Sequence, residues 1–78
     1  MLGDITVADE IYIVTSYTDM RKSIDGLCAI IEDQLKMDPR RSALYLFCGK
    51  RCDRIKALLW EPDGFVLLYK KIEVKGRF

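Results

Sequence analysis

The sequence predicts an α+β domain in the order strand, helix, strand, strand, strand, with one amphipathic helix packed on a small, mostly antiparallel sheet. Three observations lead there. Met20, Ile24, Leu27, Ile31 and Leu35 recur at spacings of 4, 3, 4 and 4, the stripe of a helix that buries one side. β-branched, aromatic or otherwise apolar runs over residues 11–15, 43–48 and 65–74 read as strands. Glu61-Pro62-Asp63-Gly64 is a strong hairpin signal: proline presets φ, aspartate bonds its own backbone, and glycine takes a positive φ.

Each element follows in order. Residues 1–10 are acidic and without a sustained period, and read as an arm. Residues 11–15 end at polar Ser16, and their lack of alternation predicts burial on both faces. Thr18 or Asp19 offers the helix N-cap. Lys22, Asp25, Glu32, Asp33 and Lys36 fall on the polar side of the stripe. Gly26, inside the helix, costs about 1 kcal/mol relative to alanine and would let another backbone approach closely. Asp38-Pro39 ends the helix, because the residue before proline is pushed out of the α region. Residues 43–48 form the next strand and 49–53 a polar, basic turn. The composition of residues 54–60 tolerates a helix, but the segment is short and abuts the hairpin signal, so it reads as a strand. Residues 65–74 are the last strand. The first strand joins the sheet through the helix crossover, the last three form a meander, and the helix stripe packs on one sheet face.

A chain of 78 residues is one small domain, spanning 1–78. Leu, Ile, Val and Phe make up 24 residues, too many for a disordered chain of so little net charge. No run approaches the roughly 18 apolar residues of a membrane span. Met1-Leu2-Gly3-Asp4 lacks the basic, then apolar, start of a signal peptide. The expectation is a cytoplasmic protein that makes no contact with membrane.

Histidine is absent, which excludes a Ser-His or Cys-His pair within the chain and removes the commonest general base. Cys48 and Cys52 stand in a C-x₃-C spacing with Cys28 far off. Three cysteines and no histidine fall short of a structural zinc set, and an odd count argues against a disulfide framework. Cys28 and Cys48 read as core, and Cys52 as a thiol whose cationic neighbours lower its pKa. Asp19, Asp25, Asp53 and Asp63 do not make a metal pair: Asp19 fits the helix start, Asp63 the turn, and the other two have no partner at a metal spacing. The expectation is no enzyme, no metal and no cofactor.

Charge is uneven. The net charge is +1, yet residues 1–39 carry three bases and eight acids, −5, whereas residues 40–78 carry ten bases and four acids, +6. The split fits a polyanion-binding face, and equally a pairing of one half with the other or with a second copy. Arg21 and Lys22, placed in the first helical turn, would oppose the helix dipole. With Thr18 and the free N–H groups there, they would hold a phosphate; the plainer alternative pairs Arg21 with Asp25 or Asp19. Lys50, Arg51, Arg54 and Lys56 cluster at a turn and the strand it feeds. Lys70, Lys71, Lys75 and Arg77 lie on the next strand and beyond. Pairing of the two strands would gather these groups at the end away from the Glu61–Gly64 turn. Tyr45, Trp60, Phe65 and Tyr69 are interleaved; as stacking rings they would suit nucleic acid, but core is the simpler reading, with the charges guarding an edge.

Two ordered blocks carry a resemblance. Thr18-Asp19-Met20-Arg21-Lys22-Ser23-Ile24-Asp25-Gly26-Leu27 is the first. Leu46-Phe47-Cys48-Gly49-Lys50-Arg51, continuing through Asp53-Arg54-Ile55-Lys56 to Leu59-Trp60, is the second. Asp63-Gly64-Phe65, Leu68-Tyr69-Lys70-Lys71 and Gly76-Arg77-Phe78 follow. From about Tyr12 onward the chain resembles the TnpB, or Orf2-like, accessory proteins of the insertion-sequence sixty-six family. The resemblance implies a bacterial mobile-element protein needed for DNA transposition beside a separate transposase, the large partner that carries the acidic triad cutting DNA. It also implies relatives that run several tens of residues past Gly-Arg-Phe, and Cys52 stands where those relatives commonly carry a base. It supplies no molecular activity. From the residues, the expected role is an accessory that binds DNA through phosphate contacts with little base preference, using Arg21, Lys22, Lys50, Arg51, Arg54, Lys56, Lys70 and Lys71. The alternative is a protein-interaction module docking on the transposase or forming a homodimer.

Overall fold

The computed structural model describes residues 10–51 and 53–73. Of the arm expected over residues 1–10, the first nine residues lie outside them, as do Cys52 and everything from Val74 onward, including Lys75 and Arg77; Glu10, the last residue of that arm, is instead strand. The elements are β1 (Glu10–Ile13), α1 (Ile24–Gln34), β2 (Ala43–Cys48), β3 (Arg54–Glu61) and β4 (Gly64–Lys71). They build an α+β fold: one helix and a mixed four-stranded sheet in the order β1-β2-β3-β4. β1 runs parallel to β2, as a helix crossover allows. β2, β3 and β4 form the expected antiparallel meander.

Side-chain alternation divides the sheet into two faces. On the helix side, Tyr45, Phe47 and Leu58 pack with Leu27 and Ile31, all fully buried. Ile24 and Leu35 complete the predicted stripe from the edge of this core, whereas Met20 packs there from the segment before the helix. On the opposite side Leu44, Ala57, Leu59 and Val66 form a second buried cluster. The β3–β4 hairpin closes as the Glu-Pro-Asp-Gly signal requires, with Glu61 opposite Gly64 and a φ of 151° at that glycine. Trp60 and Phe65 meet edge-on beside it, 4.9 Å between centroids.

Five sequence expectations are corrected. β1 is not buried on both faces: Ile11 and Ile13 are 60% and 65% exposed. Tyr12, between them, turns to the helix side and stacks on Tyr45 at 5.6 Å. Among the described residues β1 is one of the two outer strands, so its two isoleucines stand at the margin of the sheet. The N-cap is Ser23, not Thr18 or Asp19. The Asp19 carboxylate instead accepts from the Arg21 main-chain N–H at 2.9 Å, while Lys22 N–H returns to the Asp19 carbonyl at 3.1 Å. That side chain closes a local turn, a well-known competitor of capping.

The helix also stops at Gln34, before Asp38-Pro39 is reached. Lys36 takes a left-handed φ of 56°, and Leu35 and Met37 N–H groups both return to the Ile31 carbonyl. Gly26 admits a side chain rather than a backbone: a β-carbon there would sit 3.2 Å from the Lys22 Cβ. The last strand is shorter than expected, ending at Lys71, although Ile72 N–H still donates to the Asp53 carbonyl at 2.7 Å.

Candidate nucleic-acid interface

The β2–β3 turn and the segment before the helix are fastened to each other. Thr18 N–H donates to the Cys48 carbonyl at 2.9 Å, extending the line of the sheet. Gly49 N–H donates across the turn to the Arg54 carbonyl at 3.0 Å. A β-carbon on Gly49 would lie 2.8 Å from Met20 Cγ, so glycine is what lets Met20 lie over the turn. From the other side, the Lys56 ammonium donates to the Lys22 carbonyl at 2.7 Å. The two sequence blocks, about thirty residues apart, thereby form one end of the molecule.

Most of the expected basic residues belong to this end. Lys50, Arg51 and Arg54 line an open concavity of about 320 Å³ together with Gly49 and Asp53. Arg54 stands directly opposite Lys71 on β4, and Lys56 opposite Tyr69. These four share the helix side of the sheet by alternation. Like charges directly opposed across strands are unfavourable, yet among the described residues no carboxylate lies at ion-pair distance from Lys50, Arg51, Arg54 or Lys71. The strands do gather their cations away from the Glu61–Gly64 turn.

Two residues stand apart. Lys70 is opposite Ile55 and faces the other side of the sheet, so it does not join Arg54. Arg21 is held by Asp19, with its Nη2 at 2.8 Å and Nε at 3.0 Å from the two carboxylate oxygens. The Arg21 side chain is otherwise in solvent. The plainer sequence alternative, an Arg21–Asp19 pair, is the observed one, and neither residue is in the first helical turn. The Arg21 guanidinium and main-chain N–H hold the Asp19 carboxyl well below the usual carboxylate range. Lys22 precedes the helix too; its stem lies against Gly26.

The aromatic residues separate by depth. Tyr45 is fully buried, with its hydroxyl donating to the Asp38 carbonyl at 3.3 Å. Trp60 and Phe65 are half-buried. Tyr69 is not core: it is 53% exposed, with the Lys56 ammonium 5.6 Å from its ring centroid. Its period-two spacing from Lys71 was the available signal that it shares a face with the cations. A contact with no sequence signal is Arg40, whose guanidinium lies 5.9 Å from the Trp60 centroid and 6.0 Å from that of Phe65. Cys28 packs against the core, and burial pushes its thiol pKa up. Among the described residues, no three acidic or cysteine side chains come together as metal ligands, and no helix is long and apolar enough to cross a membrane.

The fold and this end define a class, a small α+β domain whose block of exposed cations is built from a pre-helical turn and a β-hairpin. The chain belongs to the family described as IS66 Orf2 like protein, whose model matches residues 9–78. It is thus an insertion-sequence accessory protein. It is 34% identical over 68 residues to the uncharacterized protein y4jC of Sinorhizobium fredii, covering 87% of this chain and 57% of that protein. It is 29% identical over 68 residues to the uncharacterized protein y4hO of the same organism, covering 87% of this chain and 58% of that protein. The chain therefore spans a little under three fifths of the length of these curated relatives. No solved structure matches it.

Proposed function

We propose that this chain acts without enzymatic activity of its own in transposition, binding DNA or a protein–DNA complex through the end that carries Lys50, Arg51, Arg54 and Lys71. The supporting observation is the direct opposition of Arg54 and Lys71, beside a concavity lined by Lys50 and Arg51, with no carboxylate at ion-pair distance among the described residues. A polyanion would relieve that repulsion. Lys56 and Lys22 support the surface rather than lead it, because the Lys56 ammonium is engaged on the Lys22 carbonyl. Arg21 adds to the surface only as half of an ion pair, and Lys70 serves a separate face. Contacts to phosphates fix position and carry little base information. Binding should therefore fall steeply with salt and discriminate poorly between sequences. It would take place in the cytoplasm and needs no cofactor.

A mobility shift on duplex DNA from the ends of the element tests this. Binding is expected at about 50 mM salt and should be lost in a Lys50→Glu, Arg51→Glu, Arg54→Glu triple variant that still folds. No binding of either duplex or single-stranded DNA by the unaltered chain at that salt overturns the proposal.

A second reading has its own observation. Ile11 and Ile13 project from the outer strand at 60% and 65% exposure, a pattern suited to docking on the transposase or on a second copy. Light scattering together with a pull-down on the transposase decides it: a monomer that ignores the transposase refutes docking.

A further inference from the structure

Tyr69 differs from the other large aromatic residues of the sheet in where its surface goes. Tyr45 is fully buried, and Trp60 and Phe65 cover each other near the hairpin turn. Tyr69 lies on β4 two residues past the core-packed Leu67, more than half exposed. On its own face and strand, Leu67 is packed against the core on one side and Lys71 is exposed on the other. Arg54 stands opposite Lys71, so the ring is bordered by two exposed cations without carboxylate partners among the described residues.

The ring is also held. The Lys56 ammonium lies 5.6 Å from its centroid and is itself anchored by donating to the Lys22 carbonyl at 2.7 Å. A cation near an aromatic face is attracted by the ring quadrupole. Tyr69 is thus an aromatic ring ordered before any ligand arrives, at the margin of a cationic surface. An ordered ring loses less entropy on binding than a free one.

We infer that Tyr69 is a stacking platform for an unpaired base, with Arg54 and Lys71 on the adjoining phosphates, so that the chain binds single-stranded DNA in preference to duplex. Duplex bases are stacked on one another and present no free face to a ring. An unpaired base does, and every base has such a face, so recognition is tolerant of sequence. The inference rests on the proposed DNA-binding role and narrows its substrate to exposed single strands.

The test is fluorescence anisotropy of the full chain with a dye-labelled strand of roughly 20 nucleotides, and with the same sequence as a duplex, at about 50 mM salt. The single strand should bind more tightly. Tyr69→Leu, which keeps apolar bulk on the strand but removes the ring, should weaken single-strand binding about tenfold and leave duplex binding nearly unchanged. Tyr69→Phe should retain the preference. An Arg54→Glu, Lys71→Glu pair should weaken both forms. Circular dichroism melting of each variant confirms that the fold persists. Equal affinity for both forms, with Tyr69→Leu indistinguishable from the unaltered chain, overturns the platform while the basic-surface reading stands. Binding of neither form overturns both.

Discussion

Met20 lies over Gly49 so closely that a β-carbon on the glycine would stand 2.8 Å from the methionine Cγ. This contact joins the pre-helical turn to the β2–β3 turn, beside the Thr18–Cys48 hydrogen bond that ties the same two segments. Gly49→Ala forces Met20 aside or opens the turn. Overpacking of this kind costs about 1–3 kcal/mol, and urea denaturation should show it. Adding Met20→Ala to Gly49→Ala should recover part of the loss, because the second change removes the obstructing chain. Equal stability of Gly49→Ala and the unaltered protein would mean that the contact constrains nothing.

Lys36 adopts φ 56°, a conformation that a side chain with a β-carbon takes at a cost and glycine takes freely. Lys36→Gly should therefore stabilise the chain by about 0.5–1 kcal/mol after the extra backbone entropy of glycine in the unfolded state is counted. Lys36→Val should do the reverse. Thermal melting of the two variants reads the difference.

Asp19 carries a pH prediction. Its carboxyl is held below the usual range by the hydrogen bonds from Arg21, so its folded pKa lies beneath the unfolded value of about 3.9. The associated stability is full above that value and fades as pH falls through the folded pKa. The pair is solvent-exposed and screened, so the effect is small. Carboxyl resonances followed by NMR from about pH 6 down to pH 2 should show Asp19 titrating below 3.9. Asp19→Asn removes the shift and releases the Arg21 guanidinium; DNA affinity at low salt should then rise. An unchanged affinity would exclude Arg21 from the DNA surface.

What the sequence disclosed and what it hid divide along physical lines. The β2 boundaries and the β3–β4 hairpin were legible because turn chemistry is local: Pro62, Asp63 and Gly64 each act on their own backbone. The helix face was legible from its period, and Leu27 and Ile31 are indeed its buried residues. The helix start was not, because Asp19 could cap or could close a turn on Arg21, and both use the same carboxylate. β1 misled because an apolar run looks alike at the centre and at the margin of a sheet, and Ile11 and Ile13 fell at the margin. In the candidate site, the gathering of Arg54 with Lys71 followed from hairpin pairing. Lys70 lies at the same end but on the other face: neighbouring strand residues alternate, and register decides which of the two lysines meets Arg54. The Arg40 contact with Trp60 joins residues about twenty positions apart across the tertiary structure, which no local pattern encodes.

That Arg40 contact is measurable because Trp60 is the only tryptophan of the chain. The guanidinium lies near both Trp60 and Phe65 and covers part of the half-buried indole. Arg40→Ala should cost about 0.5–1 kcal/mol and shift the tryptophan emission to the red as water replaces the guanidinium. Arg40→Lys should keep the charge but lose the planar contact, giving an intermediate shift. Identical emission in all three chains would show that Arg40 does not shield Trp60 in solution.

Thr18 sits at the junction of the two sequence blocks. Its main chain donates to Cys48, while its hydroxyl is buried without a hydrogen-bond partner among the described residues. A buried polar atom left unpaired costs about 1–3 kcal/mol relative to one that is satisfied. Thr18→Val keeps the shape and removes the hydroxyl, so the expected outcome is a protein more stable by about 1 kcal/mol. Thr18→Ser keeps the hydroxyl and loses a methyl, and should be less stable. Urea titration separates the two. A Thr18→Val chain that is destabilised instead would mean that the hydroxyl has a partner in solution. Thr18→Val that is stabilised and still binds DNA would show that this buried oxygen serves neither the fold nor the interface.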